Sequence, residues 1–151
     1  MGGGQPELLC IDDDEQSLIV RKLLLENHGF RVRTANSGKE GIKAFKAHAV
    51  DGVVCDYQMP DLDGGQVAEE LKRLDPSVPV MILSALPYLP ENAPSCIDAF
   101  VSKGESTAML ASRINHMLAA GTGAARKPNW LKQIVHRPRL PRRQPQAMAG
   151  T

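Results

Sequence analysis

No apolar run in this 151-residue chain approaches the roughly 20 residues that a membrane-spanning helix needs. The N-terminus, Met1-Gly2-Gly3-Gly4-Gln5-Pro6-Glu7, also lacks the charged and apolar regions of a secretory signal. The protein is therefore expected in the cytoplasm. There is no Cys-x-x-Cys pair and no histidine spaced to complete one, which argues against a zinc site. Cys10, Cys55 and Cys96 stand far apart, two of them inside apolar stretches, and are expected reduced and buried. His28, His48, His116 and His136 show no spacing that suggests a ligand set or a triad and are read as surface residues. Acid is missing after Glu105. Seven of the 18 lysines and arginines fall after Gly123, so the body carries a net charge of −6 and the tail +7.

What is present is ordinary for a globular protein: 42% hydrophobic and 23% charged residues, enough for one domain with a proper core and too few for two with a linker. Residues 7–11 form a short apolar run ending in three aspartates, read as a buried strand. The helical period of Leu18, Ile19, Leu23 and Leu24 follows and stops at His28-Gly29. Residues 30–34 alternate like an edge strand, and Ser37 caps a second helix with Ile42, Phe45 and Ala49 on one face. Residues 52–55 form another buried strand, closed by Asp56. A turn containing Met59-Pro60 and Gly64-Gly65, read as turn chemistry, leads to a helix with Val67, Ala68, Leu71 and Leu74 on one side. Residues 78–83 make a strand closed by Ser84, and residues 97–101 one closed by Ser102-Lys103. A final helix over 106–120 runs through Met109, Leu110, Ile114, Met117 and Leu118.

Strands alternating with helices imply a parallel sheet, because parallel strands need crossover connections. The expected fold is α/β: a doubly wound, flavodoxin-like sheet of five parallel strands in order 2-1-3-4-5, with helices on both faces. One crossover reads differently. Pro87, Pro90 and Pro94 stand between Ser84 and Ile97, and proline inside a helix removes a hydrogen bond and clashes with the preceding turn. A shortened or distorted fourth helix is expected there. Residues 1–6 read as a flexible N-terminus, 7–120 as the domain, and 121–151 as a basic, proline-rich tail without a separate output domain. Such a tail cannot bury enough surface to fold alone; its island Trp130-Leu131-Lys132-Gln133-Ile134-Val135 suits a turn or two of helix.

In doubly wound folds the ligand site lies outside the carboxyl ends of the strands. Asp12, Asp13, Asp56, Ser84 and Lys103 all fall at such ends. Three close carboxylates repel one another without a cation, and hard oxygen ligands with open water positions suit Mg²⁺. With the site neutralised, an anionic phosphoryl group can approach, and Asp56 can attack phosphorus in line while Mg²⁺, the Lys103 ammonium and the Ser84 hydroxyl hold the equatorial oxygens. Taken singly, the same residues are ordinary. Asp12-Asp13-Asp14 alone reads as a helix N-cap cluster, the part assigned to Asp14; Ser84 alone is a strand-end hydroxyl, Lys103 a solvated charge and Phe100 a core aromatic.

Four stretches, Leu8-Leu9-Cys10-Ile11-Asp12-Asp13-Asp14, Val53-Val54-Cys55-Asp56-Tyr57-Gln58-Met59-Pro60-Asp61-Leu62-Asp63-Gly64, Val80-Met81-Ile82-Leu83-Ser84-Ala85 and Ala99-Phe100-Val101-Ser102-Lys103, make the sequence resemble the receiver domains of two-component response regulators over residues 7–120. The resemblance implies that Asp56 is the phosphoacceptor, that Asp13, Asp56 and the Gln58 main-chain carbonyl ligate Mg²⁺ directly, and that Asp12 acts mainly through a metal-bound water. It places Ser84 as the switch hydroxyl and Phe100 as the switch aromatic, which turns inward after phosphorylation. The implied partners are a sensor histidine kinase or histidine phosphotransfer protein and a downstream protein partner. No specific DNA recognition is expected, and the tail would give only weak, salt-sensitive contact with nucleic acid or dock on the acidic body.

Two features depart from the family pattern. Lys103-Gly104 replaces the usual Lys-Pro with its cis bond, and a non-proline cis bond costs about 2.5–4 kcal/mol, so either the bond is trans or strain is tolerated. The segment after Ser84 is short and rich in proline. The function expected is a stand-alone receiver that signals by a conformational switch and is not an enzyme beyond its own phosphoryl transfer and dephosphorylation. The alternatives are an adaptor that does not accept phosphate and, less favoured, a haloacid-dehalogenase-like phosphatase using Asp12 and Asp14.

Overall fold

A computed structural model describes residues 4–121. The expected tail, apart from Gly121, lies outside them, as does the start of the chain. The elements are β1 (Glu7–Ile11), α1 (Glu15–Asn27), β2 (Arg31–Ala35), α2 (Gly38–Ala47), β3 (Gly52–Asp56), α3 (Gly64–Leu74), β4 (Val80–Ser84), β5 (Ala99–Ser102) and α4 (Thr107–Ala120). All neighbouring strands pair in parallel, in the order β2-β1-β3-β4-β5. The doubly wound fold expected from the sequence is thus the one observed. β1, β3 and β4 are buried at every position, as unbroken apolar runs are when both faces of a parallel sheet are covered.

Leu8, Cys10, Val54 and Met81 look toward one face and pack with Leu18 and Leu25 of α1 and Leu110, Ile114 and Leu118 of α4. Leu9, Ile11, Val53 and Ile82 look toward the other and pack with Phe45 of α2 and Val67, Ala68 and Leu71 of α3. Each helix begins where a short polar side chain accepts a backbone N–H of its first turn: Asp14, Ser37, Asp63 and Ser106. α1 ends at His28, and Gly29 then takes a positive φ of 92°, which a residue with a side chain rarely adopts.

Three expectations are corrected. The segment between β4 and β5 holds no helix at all, short or distorted, and turns through Ala93 N–H to Pro90 O and Ile97 N–H to Pro94 O. The prolines remove the donors a helix would need. Leu89, Cys96 and Ile97 of this segment nevertheless pack against the α2–α3 core, doing the covering a helix would otherwise do. On α1 the buried residues are Leu18 and Leu25, while Ile19, Leu23 and Leu24 are exposed. The face turned inward follows Leu18, Arg21 and Leu25, with helical spacing i, i+3, i+7. Finally, Gly64-Gly65 is more than turn chemistry: a Cβ on Gly64 would stand 2.6 Å from the Asp56 carbonyl oxygen and 2.9 Å from the Tyr57 Cα. Only glycine lets α3 start this close beneath the end of β3, where its N–H donates to the Tyr57 carbonyl at 2.7 Å.

Candidate functional site

The parallel sheet brings the ends of β1, β3, β4 and β5 to one edge, and the residues anticipated there meet. Oxygens of Asp12, Asp13 and Asp56 lie within 4.8 Å of one another, with Asp12 and Asp56 buried and Asp13 exposed. Lys103, one residue past β5, reaches back so that its Nζ stands 3.1 Å from Asp12 Oδ2 and 3.4 Å from Asp56 Oδ1. The backbone fixes that reach, because the Lys103 N–H donates to the Ser84 carbonyl at 2.8 Å. The Lys103–Gly104 bond is trans, since the described residues hold no cis peptide bond. This settles the alternative left open by the missing proline, and the ammonium arrives without the cis bond.

Ser84 is buried at the end of β4, and its Oγ accepts the Leu86 N–H at 3.2 Å, tying the hydroxyl to the first turn of the β4–β5 segment. Phe100 in β5 is half-buried and packs against the α2–α3 core. Gln58 lies exposed in the loop between β3 and α3. The same loop is pinned at Asp61, whose two carboxylate oxygens accept the N–H groups of Gly38 and Lys39 at the start of α2. Asp14 faces away from the cluster: its carboxylate accepts from the N–H groups of Gln16 and Ser17 and from the Ser17 hydroxyl, which is the capping part foreseen for it.

The two buried carboxylates titrate in opposite directions. Burial raises Asp56, the negative charge of Asp12 raises it further, and Lys103 only partly opposes them, so its carboxyl sits above the ordinary value of 3.8. Burial also pushes Asp12 upward, but the Asp14 N–H, Lys103 and Arg21 together outweigh it and hold the group below 3.8. Crowded carboxylates of this kind form the hard-oxygen donor set that suits a divalent cation, and the repulsion raising Asp56 is the strain a cation would relieve. The residues present therefore fit Mg²⁺. Burial likewise raises the Cys10 thiol to about 12, which keeps it protonated and inert beneath the site.

Sequence reasoning missed Arg21. Its Nη2 donates to Asp12 Oδ2 at 3.1 Å from the inward face of α1. The signal was an arginine at helical spacing between two buried leucines, where a side chain of that length must find a carboxylate.

The family model described as response regulator receiver domain matches residues 8–115. Among curated proteins, the chain is 32% identical to the transcriptional regulatory protein GlrR of Escherichia coli over 133 residues, covering 86% of this chain and 30% of the relative. It is 35% identical to the transcriptional regulatory protein ZraR of Klebsiella oxytoca over 85 residues, covering 56% of this chain and 19% of the relative. The chain thus spans less than a third of the length of these relatives. Among solved structures, a response regulator receiver domain protein from Clostridium thermocellum superposes with a TM-score of 0.70 at 29% identity, covering 76% of this chain and 95% of that one. The response regulator TrrA of Thermotoga maritima, solved in complex with Mg²⁺-BeF, gives 0.70 at 25% identity, covering 74% and 98%.

Proposed function

Because the chain belongs to the response regulator receiver domain family of two-component systems, we propose that it accepts a phosphoryl group on Asp56 from a histidine kinase or phosphotransfer protein and passes a conformational signal to a protein partner. The observation that carries this reading is the Lys103 ammonium held between Asp12 and Asp56 at the carboxyl edge of the sheet. An Asp56 oxygen attacks phosphorus and forms the new P–O bond; the bond from phosphorus to the donor imidazole nitrogen breaks, and its electron pair leaves with the imidazole. Lys103 shifts from Asp12 toward the arriving phosphoryl oxygens, a movement short enough for its flexible stem. Asp13, Asp56 and the Gln58 carbonyl, with Asp12 acting through a water, would hold Mg²⁺, which would supply charge neutralisation for the incoming phosphoryl group. The signal starts at Ser84. To hydrogen-bond the phosphoryl group its hydroxyl leaves the Leu86 N–H, which releases the first turn of the β4–β5 segment and lets Phe100 move inward.

No helix of the described residues is long and apolar enough to cross a membrane, consistent with action in the cytoplasm. The phosphatase alternative loses ground because Asp14 is occupied as a helix cap. The test is the intact mass after incubation with a small acyl phosphate. One phosphoryl group is expected with Mg²⁺, far less without it, and none in Asp56→Asn. Absence of the mass gain with both the acyl phosphate and a cognate kinase would favour the adaptor reading.

A further inference from the structure

Asp12 is served by more positive charge than its share. Its Oδ1 accepts the Asp14 N–H at 3.0 Å, and its Oδ2 accepts both Lys103 Nζ and Arg21 Nη2 at 3.1 Å. The carboxylate is only 1% exposed, so these partners satisfy it in place of water. Lys103 is shared with Asp56, whereas the ion pair of Arg21 is with Asp12. Against three clustered carboxylates stand two cations, leaving one net negative charge where a site with Lys103 alone would have two. Arg21 also has somewhere to go. Beside it a groove of about 410 Å³ runs between α1 and the start of α4, lined by Ser17, Val20, Leu24, Lys103 and Glu105.

We propose that Arg21 is a positioning residue that competes with the divalent cation for Asp12, so that it stabilises the metal-free site and sets a lower affinity for Mg²⁺. A guanidinium on Oδ2 and a cation near the same carboxylate repel each other, and the loss is felt strongly because the pair is shielded from water. When the cation binds, the guanidinium swings partly into the groove. The inference rests on the reading of the cluster as a Mg²⁺ site.

The test measures Mg²⁺ binding by titration calorimetry and thermal unfolding with and without Mg²⁺ on the full chain, in the wild type, Arg21→Met, Arg21→Gln and Arg21→Lys. The glutamine variant keeps a hydrogen-bond donor for Asp12 and guards against a failure of the methionine variant to fold. Met and Gln should tighten Mg²⁺ binding about tenfold, lower the melting temperature without metal, and recover most of that loss when Mg²⁺ is added; Lys should restore both values toward the wild type. A merely structural arginine would lower stability alike with and without metal and leave the affinity unchanged or weaker. That outcome in the variant that folds overturns the inference. If the wild type itself binds no Mg²⁺, the reading of the site fails along with it, a result distinct from unchanged affinity in the variants.

Discussion

The carboxylate edge of the sheet and the segment from Ala85 to Asp98 are neighbours in space but are built on opposite principles. At the edge, short side chains project from strand ends that the sheet register fixes, so Asp12, Asp56, Ser84 and Lys103 come together across some 90 residues of sequence. In the segment, three prolines exclude the helix that would complete the alternation, and order comes from apolar side chains laid onto the α2–α3 core and from single polar anchors. One such anchor is Asp98, whose Oδ2 accepts the Val80 N–H at 2.8 Å and the Lys72 ammonium at 2.6 Å. The difference teaches where function can be rigid and where it can move. Phosphoryl chemistry needs positions held within fractions of an ångström, whereas a switch needs an element with two arrangements of similar energy. Ser84 joins the two regions, with its backbone in β4 and its hydroxyl on the segment's first turn.

If that division is real, substitutions sort by region. The largest effect is expected from Asp56→Asn, which should abolish acyl-phosphate labelling completely, read by intact mass, while circular dichroism stays that of the wild type. Gly64→Val comes next: the new Cβ meets backbone atoms of residues 56 and 57, so unfolding should cost about 3 kcal/mol less, measured by urea denaturation, and labelling should fall with it. Asp98→Ala removes the acceptor of a buried strand N–H and should destabilise by about 1–3 kcal/mol, yet leave the labelling rate at saturating Mg²⁺ within about twofold. A large loss of labelling in Asp98→Ala would break the division.

The smallest effect concerns pH in the absence of metal. Asp56 titrates above 3.8, so its ionisation costs stability as pH rises through that raised value. Asp12 titrates below 3.8, so the stability it contributes is present above 3.8 and is lost as pH falls through its lowered value. Asp56→Asn should therefore be more stable than the wild type at neutral pH, and the advantage should close below 3.8. Denaturant midpoints across that range would show it.

Most of the architecture was legible because strand ends, caps and carboxylates are local signals: Asp14, Ser37 and Ser106 each cap the helix that follows them. What was not legible depends on what lies opposite. Ile19, Leu23 and Leu24 have the spacing of a buried face, but sequence does not show that they stay exposed among the described residues. Arg21 was passed over because an arginine in a helix is usually solvated, and its partner is a carboxylate nine residues away that only the β1–α1 turn brings within reach. Gly64 could be called a turn glycine, but the need for it arises from the backbone of β3's last residue. The prolines of the segment told what could not form there and left open what did.

The measurement that bears most directly on the account is site mapping of the phosphorylated chain. Treatment with an acyl phosphate and Mg²⁺ followed by borohydride reduction converts a phosphorylated aspartate to homoserine, which peptide mass spectrometry locates. The account predicts that conversion at Asp56 alone. Conversion at Asp12, or at neither residue in a chain that binds Mg²⁺, would contradict it.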